Sequence, residues 1–163
     1  VKPNFGLSGK LAAETNTVNG TIVDYNEPPE ARVPTAKWRL YVFKGDQQLE
    51  VIPVARQSAY LVGRDRKVAD LPVDHPSCSK QHAALQYRQV ALPRKPADTA
   101  AFDADTSNTP PPFVVKPYLI DLASSNGTYV NGERLPATRY YELRAQDVIK
   151  FGFSTREYVL IQE

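Results

Sequence analysis

The sequence predicts an all-β fold: an antiparallel β-sandwich of about ten to eleven strands, preceded by an extended N-terminal arm. Two observations carry this prediction. Short segments rich in valine, tyrosine, phenylalanine and threonine alternate between apolar and polar residues, as half-buried strands do. Turn-forming residues separate these segments at intervals of roughly 8–12 residues, which is typical of sandwiches, whereas long helical patterns are scarce.

The composition fits one globular domain and excludes several other classes. With 163 residues, of which 42% are hydrophobic, the chain can build its own core and is not disordered overall. A net charge of +2 does not indicate a general affinity for nucleic acid. The single cysteine, Cys78, excludes an intramolecular disulfide and fits a reducing compartment. No apolar run approaches the roughly 18 residues of a membrane span, so no membrane role is predicted.

Residues 1–37 form the predicted N-terminal docking arm. The segment contains four prolines and few paired apolar runs, and its charges balance. One interpretation is a flexible arm that lies partly on the domain. The other is a docking peptide whose apolar anchors are Phe5, Leu7 and Leu11.

Residues 38–163 form the predicted β domain. Its first strand alternates from Trp38 to Phe43 and ends at a Gly-Asp turn. The two Asn-Gly pairs near the end of the chain predict tight reversals between strands. Further strands are predicted at 59–62, 85–88, 118–122, 128–130, 133–135, 148–151 and 158–161.

The segment 91–117 interrupts the strand pattern. It contains six of the 14 prolines, and its centre is rich in alanine, aspartate and threonine. Because proline cannot donate to a ladder, the composition predicts a long flexible insertion between two paired strands.

Four short motifs suit a phosphate-binding surface built from loops. Arginine offers a planar fork of donors to a phosphate, and serine offers a hydroxyl. Asparagine offers both a donor and an acceptor to an extended peptide backbone. The motifs are Gly63-Arg64, Ser79-Lys80-Gln81-His82, Ser125-Asn126-Gly127-Thr128 and Asn131-Gly132.

Each motif alone has a plainer interpretation. Arg64 opens a charged run, 64–67, and fits a solvated surface arginine. Ser79 lies in a turn-rich segment and fits a turn serine. Ser125-Asn126-Gly127 alone fits a plain hairpin turn. The presence of all four motifs in this order favours the phosphate-binding interpretation.

Catalytic and metal sites are disfavoured. Ser79 and His82 form a Ser-x-x-His pair, but nucleophilic catalysis also needs a group that orients the base and an oxyanion hole. No Gly-x-Ser-x-Gly elbow is present in the sequence. A zinc site at His75, Cys78 and His82 would need a nearby aspartate as its fourth ligand, because the chain has one cysteine and two histidines. We therefore predict no catalytic residue, no metal and no cofactor.

The order and spacing of the motifs resemble the forkhead-associated (FHA) domain, a reader of phosphothreonine peptides. The resemblance covers roughly 38–163 and implies an FHA/SMAD-like sandwich whose function lies in its loops. Family members often carry asparagine where this chain has Lys80, so the lysine is a departure that still supplies a point charge. The phosphopeptide-binding residues that the resemblance implies are Arg64, Ser79, Lys80, Ser125 and Asn126.

The same resemblance implies residues that support the binding loops. It makes the His82 ring structural, bonded to backbone groups, and it gives Gly127 the positive φ of a tight turn. Asn131 fits either a plain structural turn or support for the ligand loop. The supporting set is Gly63, His82, Gly127 and Asn131.

Four longer segments make the resemblance more specific, to one family of FHA proteins. They are Pro3-Asn4-Phe5-Gly6-Leu7-Ser8-Gly9, 26–32, 64–70 and 75–82. Together they look like the family of pre-mRNA leakage proteins and Smad nuclear-interacting proteins, the FHA subunit of the pre-mRNA retention and splicing (RES) complex. That family implies a nuclear, spliceosome-associated scaffold without enzymatic activity. It also implies that the arm docks on the RNA-recognition-motif subunit of the complex.

Two alternatives remain open. One is a structural FHA scaffold that binds its partners without phosphate. The other is a direct RNA contact within the spliceosome, which needs aromatic platforms and basic residues on one face. Most tyrosines and phenylalanines occupy alternating strand positions, which predicts core packing, so direct nucleic-acid binding is not favoured.

Overall fold

The computed structural model describes residues 17–18, 20–92 and 112–163. The proposed anchors Phe5, Leu7 and Leu11 lie outside the described residues, as does 93–111. The described strands are β1 Thr17–Val18, β2 Thr21–Ile22, β3 Trp38–Lys44, β4 Gln47–Pro53, β5 Ala59–Gly63, β6 Leu71–Pro72, β7 Ala83–Ala91, β8 Phe113–Asp121, β9 Thr128–Val130, β10 Glu133–Arg134, β11 Tyr140–Glu142, β12 Val148–Phe151 and β13 Arg156–Gln162.

Two sheets contain eleven of these strands, and the predicted all-β sandwich is confirmed. A six-stranded sheet has the order β10-β9-β12-β13-β3-β4, and a five-stranded sheet has the order β11-β8-β7-β5-β6. The short strands β1 and β2 form a separate hairpin. The described strands pair antiparallel except for β5 and β6, which are parallel and pair Val62 with Leu71. The described residues contain no helix, so none is long and apolar enough to cross a membrane.

The core lies between the inner faces of the two sheets. In β3, the buried residues Trp38, Leu40 and Val42 alternate with partly exposed ones, as the pleat requires. The five-stranded sheet contributes Leu85 and Tyr87 from β7 to the same cluster. The alternation in the sequence therefore corresponds to one buried face on each sheet.

The predicted insertion is shorter in the structure than 91–117. Strand β7 reaches Ala91, β8 begins at Phe113, and these two residues pair. Pro117 is accepted inside β8 because its carbonyl points away from β7, towards the N–H of Leu143. The backbone nitrogen of a strand residue points to the same side as its carbonyl, so the ladder with β7 needs no N–H from this proline.

The described part of the arm packs along the five-stranded sheet. We call residues 20–34 the strap. Strand β5 pairs with β7 only as far as Gln86, and beyond that point the strap takes its place. The N–H of Arg32 donates to the Tyr87 carbonyl, and the N–H of Gln89 donates to the Glu30 carbonyl. The boundary placed by composition at residue 37 therefore does not coincide with the edge of the folded unit.

Polar side chains fasten the strap to the sheet. Glu30 forms an ion pair with Arg88 at 2.6 Å. The Arg88 guanidinium also lies over the rings of Tyr118 and Tyr140, with centroid distances of 4.6 and 4.5 Å. The Tyr25 hydroxyl donates to Gln86 Oε1 at 2.6 Å. The strap is held by these contacts rather than by an apolar stripe, which explains why its sequence resembles a linker.

Candidate functional site

Three loops meet at one end of the sandwich because of the strand register. Val62, at the end of β5, pairs with Ala83 at the start of β7, and Ala83 pairs with Asp121 at the end of β8. The loops 64–70, 73–82 and 122–127 therefore leave the sheet side by side. These loops carry all of the predicted phosphopeptide-binding residues.

Gly63 allows the first two loops to touch. A Cβ atom at this position would lie 2.0 Å from the Lys80 carbonyl oxygen, a distance that no side chain can occupy. The two loops are joined by backbone hydrogen bonds at the same place. The N–H of Arg64 donates to the Ser79 carbonyl at 3.0 Å, and that of Asp65 donates to the Lys80 carbonyl at 3.2 Å.

Arg64 is exposed and oriented by the neighbouring loop. Its Nε donates to the Cys78 carbonyl at 2.9 Å, which fixes the plane of the guanidinium. Among the described residues it forms no ion pair, so its two terminal nitrogens are available to an anion. The structure thus gives Arg64 a fixed orientation that a solvated surface arginine lacks.

Ser79 and Lys80 lie beside Arg64 across the loop contact. The Ser79 hydroxyl oxygen accepts the N–H of Ser125 at 3.2 Å, so it joins the second loop to the third. Because the oxygen is used as an acceptor, its own O–H remains a donor. Lys80 is exposed, and its ammonium supplies a further positive charge at the same end.

His82 is completely buried beneath these loops, with 0% of its surface exposed. Its Nδ1 accepts the N–H of Ser79 at 3.0 Å, so the ring proton is on Nε2, which donates to the Gly127 carbonyl at 2.9 Å. Burial lowers the pKa of His82, against the raising influence of the Gly127 carbonyl and the Asp121 carboxylate. A neutral ring with both nitrogens bonded to backbone joins the second loop to the third.

Asn126 is turned partly inwards. Its Nδ2 donates to the Ser77 carbonyl at 2.8 Å, so the amide ties the third loop to the second. The resemblance implied a bond to the peptide main chain, and the side-chain oxygen remains available for it. Ser125 is exposed at the tip of the same loop. Gly127 follows with φ of 85°, the left-handed conformation that favours glycine.

Asp121, which belongs to none of the four motifs, organises the third loop. One carboxylate oxygen accepts the hydroxyl protons of Ser124 and Thr128, at 2.5 and 2.6 Å. The other accepts the N–H of Ser124 at 3.0 Å. An aspartate three residues before a serine, at the end of a strand, is the sequence signal for such a turn.

Asn131 lies at the other end of β9 from the three loops. Its Nδ2 donates to Asp147 Oδ1 at 3.0 Å, and its Oδ1 accepts the N–H of Val148 at 3.0 Å. Its φ of 52° is the left-handed conformation of a tight turn. These contacts fit the plain structural turn better than support of the ligand loop.

Ser79 and His82 are not arranged as a nucleophile and its base. The His82 nitrogens are used by backbone groups, and the Ser79 hydroxyl oxygen accepts an N–H from Ser125. Within the described part of the chain, no three histidine, cysteine, aspartate or glutamate side chains are grouped to hold a metal ion. Both His82 nitrogens and the Ser79 oxygen therefore join the loops to one another.

The sequence pattern of the FHA domain matches residues 60–152, more than half of the chain, and these residues include all three loops. The chain belongs to the FHA-domain family. The solved structure of the yeast Pml1 splicing factor, described with its integration into the RES complex, has the same fold. It is 25% identical, with a TM-score of 0.66, and the match covers 86% of this chain and 98% of that one.

Curated relatives are similar over nearly all of this FHA chain. Smad nuclear-interacting protein 1 of Mus musculus is 54% identical over 162 residues, which are 99% of this chain and 39% of that protein. The FHA domain-containing protein DDL of Arabidopsis thaliana is 51% identical over 163 residues, which are 99% of this chain and 48% of that protein. The chain thus spans less than half the length of these relatives.

Proposed function

We propose that this FHA domain binds phosphothreonine peptides through its three loops. The observation that carries the proposal is the Arg64 guanidinium, which is oriented by the Cys78 carbonyl and has no anionic partner among the described residues. A phosphate dianion needs several preorganised donors and a positive surrounding. Arg64, the Ser79 hydroxyl and Lys80 supply donors from two loops that touch.

The third loop supplies groups for the peptide that carries the phosphate. Ser125 is exposed beside Ser79, and the Asn126 side-chain oxygen can accept a backbone N–H of the ligand. His82, Gly63 and Gly127 hold the loops at fixed separations without contacting the ligand. Such preorganisation lowers the entropy cost of binding.

Arg64→Ala should weaken phosphopeptide binding by roughly tenfold or more, because it removes a charge-assisted hydrogen bond to phosphate. Isothermal titration calorimetry with a phosphothreonine peptide selected from a degenerate library measures the loss. Arg144→Ala, an exposed arginine beyond β11 and away from the three loops, is the matched control and should bind as the wild type does. Equal affinity for phosphorylated and unphosphorylated peptide would instead favour a scaffold that binds without phosphate.

We further propose that the protein acts as a non-enzymatic, nuclear scaffold subunit of an RES-type complex in pre-mRNA splicing and in nuclear retention of unspliced pre-mRNA. The names of Smad nuclear-interacting protein 1 and of the yeast Pml1 splicing factor support this assignment. In this proposal the arm docks on the RNA-recognition-motif subunit, and the loops bind a phosphorylated protein.

A peptide of residues 1–15 should bind the RNA-recognition-motif subunit without the rest of the chain. The apolar anchors Phe5 and Leu7 should be buried there, so the double change Phe5→Ala and Leu7→Ala should abolish the interaction. A pull-down of the subunit with wild-type and doubly substituted full chains measures this effect.

A domain fragment without the docking peptide serves as the comparison. It should begin at Gly20 rather than at Trp38, because the strap belongs to the folded unit. This fragment should keep phosphopeptide binding and lose the subunit. If it retains the subunit as well as the full chain does, the arm is not the docking element.

A further inference from the structure

The outer face of the six-stranded sheet carries cations and aromatic rings next to the three loops. Tyr129 lies between two buried residues of β9, so its side chain points to the outer face. It pairs directly with Arg134 of β10 and with Lys150 of β12. Directly paired residues share a face of the sheet, so these three side chains form one row. We call this row, together with Phe153, the rim strip.

The Arg134 side chain lies at the edge of the binding loops. A Cβ atom on Gly127 would lie 2.6 Å from Arg134 Nε and 3.0 Å from its Cζ, so the guanidinium crosses the Gly127 backbone. Gly127 is the residue directly after Asn126. Arg134 is exposed and has no ion pair among the described residues. Its positive charge therefore lies beside Gly127 and adds to that of the three loops.

A shallow groove lies along the strip. It has a volume of about 400 Å³, and its sides are Tyr129, Lys150 and Phe153. The Phe153 side chain is 64% exposed in the turn between β12 and β13. The exposed Phe153 ring and the half-buried Tyr129 ring thus lie beside basic residues on one surface.

The strip is continuous with the three loops through hydrogen bonds. The Tyr129 hydroxyl donates to the Asn126 carbonyl at 3.2 Å, and the Phe153 N–H donates to the Ser77 hydroxyl oxygen at 2.8 Å. The rim strip and the three loops therefore form one continuous surface.

We propose that the rim strip binds acidic residues that flank the phosphothreonine in the ligand, with Arg134 and Lys150 as the residues that select them. The inference rests on the proposed phosphothreonine function and adds a ligand preference to it. Arg134 and Lys150 form no ion pair among the described residues and are complementary to carboxylates, and the groove lies directly beside them. The same chemistry on a longer surface would suit single-stranded RNA, which stacks its bases on aromatic rings.

The test compares two phosphothreonine peptides that differ only in their flanking residues, glutamate in one and alanine in the other. The wild-type protein should bind the glutamate peptide about tenfold more tightly, since two charge pairs are added. In the double variant Arg134→Ala and Lys150→Ala the ratio of the two affinities should fall to about one. In Arg144→Ala, which removes a single arginine away from the strip, the ratio should stay at the wild-type value.

Each other outcome overturns the inference in a recognisable way. If the wild-type protein binds both peptides equally, and Arg64→Ala still weakens binding, the strip does not select acidic residues. The phosphothreonine function then stands. No binding of either peptide rejects the function and the strip together. A uridine-rich oligonucleotide that binds through Arg134 and Lys150, with no preference for the acidic peptide, assigns the strip to RNA. Both substituted residues lie on the outer face, so the double variant should fold, and a thermal melt checks that it does.

Discussion

Gly63→Ala is expected to destabilise the domain by about 3 kcal/mol or more, because the new methyl group would clash with the second loop. The atoms that it would meet belong to the backbone of Lys80 and Gln81 and cannot rotate away. The loops must separate, which breaks the hydrogen bonds from Arg64 and Asp65 to the second loop. In a domain of this size the melting temperature should fall by roughly 10 °C, as differential scanning calorimetry would show.

Gly45→Ala is the control for Gly63→Ala. Gly45 lies in the turn between β3 and β4, has φ of 61° and has nothing near the position of a Cβ atom. Its substitution should cost only the strain of placing alanine in the left-handed conformation, about 1 kcal/mol. If the two variants melt at the same temperature, the two loops can move apart at a lower energy cost than the close contact at Gly63 indicates. Gly63→Ala should also lose phosphopeptide affinity, whereas Gly45→Ala should not.

His82→Ala is expected to cost about 3 kcal/mol of folding free energy. The Ser79 N–H loses its acceptor inside the protein, and an unsatisfied buried donor costs about 1–3 kcal/mol. The edge-to-face contact of the ring with Phe151, at a centroid distance of 5.6 Å, is also lost and leaves a cavity. The Gly127 carbonyl still accepts the N–H of Gly152 at 2.8 Å, which limits the total loss of folding free energy. Urea unfolding at neutral pH measures the change.

The same histidine should make stability depend on pH. Its pKa is lowered in the folded protein by burial, so the unfolded chain binds a proton first as the pH falls. Its contribution to stability is therefore complete above the ordinary histidine pKa of about 6.5 and declines below it. The loss between pH 7.5 and 5 should be smaller in His82→Ala than in the wild type. An equal loss in both proteins would assign the pH dependence to other groups.

The alternation of apolar residues was sufficient to predict the sandwich, because each strand buries one face. It failed at two places where backbone and polar contacts decide the structure. Pro117 stands inside β8 because the register turns its nitrogen away from β7. The strap carries no apolar period because Glu30 and Tyr25 bind polar partners on the sheet.

The site was only partly predictable for a similar reason. The motifs placed Arg64, Ser79 and Asn126 in loops that the structure brings together. Arg134 and Phe153 belong to no motif, since their place beside the loops depends on strand pairing and on a turn contact to Ser77. A sequence pattern lists the residues near the loops, but strand register determines which distant side chains join them.

The hairpin of β7 and β8 has a practical consequence for handling the protein. Nine residue pairs, from Ala83 with Asp121 to Ala91 with Phe113, separate the loop end of the sandwich from the hairpin tip, a distance of about 27 Å. At the tip the N–H of Leu92 donates to the Pro112 carbonyl at 2.8 Å, so the chain leaves and re-enters the sheet at one closed point. A fluorophore, an affinity tag or a whole reporter domain inserted between Leu92 and Pro112 would be held at the far end of the paired strands from the loops. Such a fusion would leave the ligand end unobstructed for imaging or for immobilisation on a sensor surface.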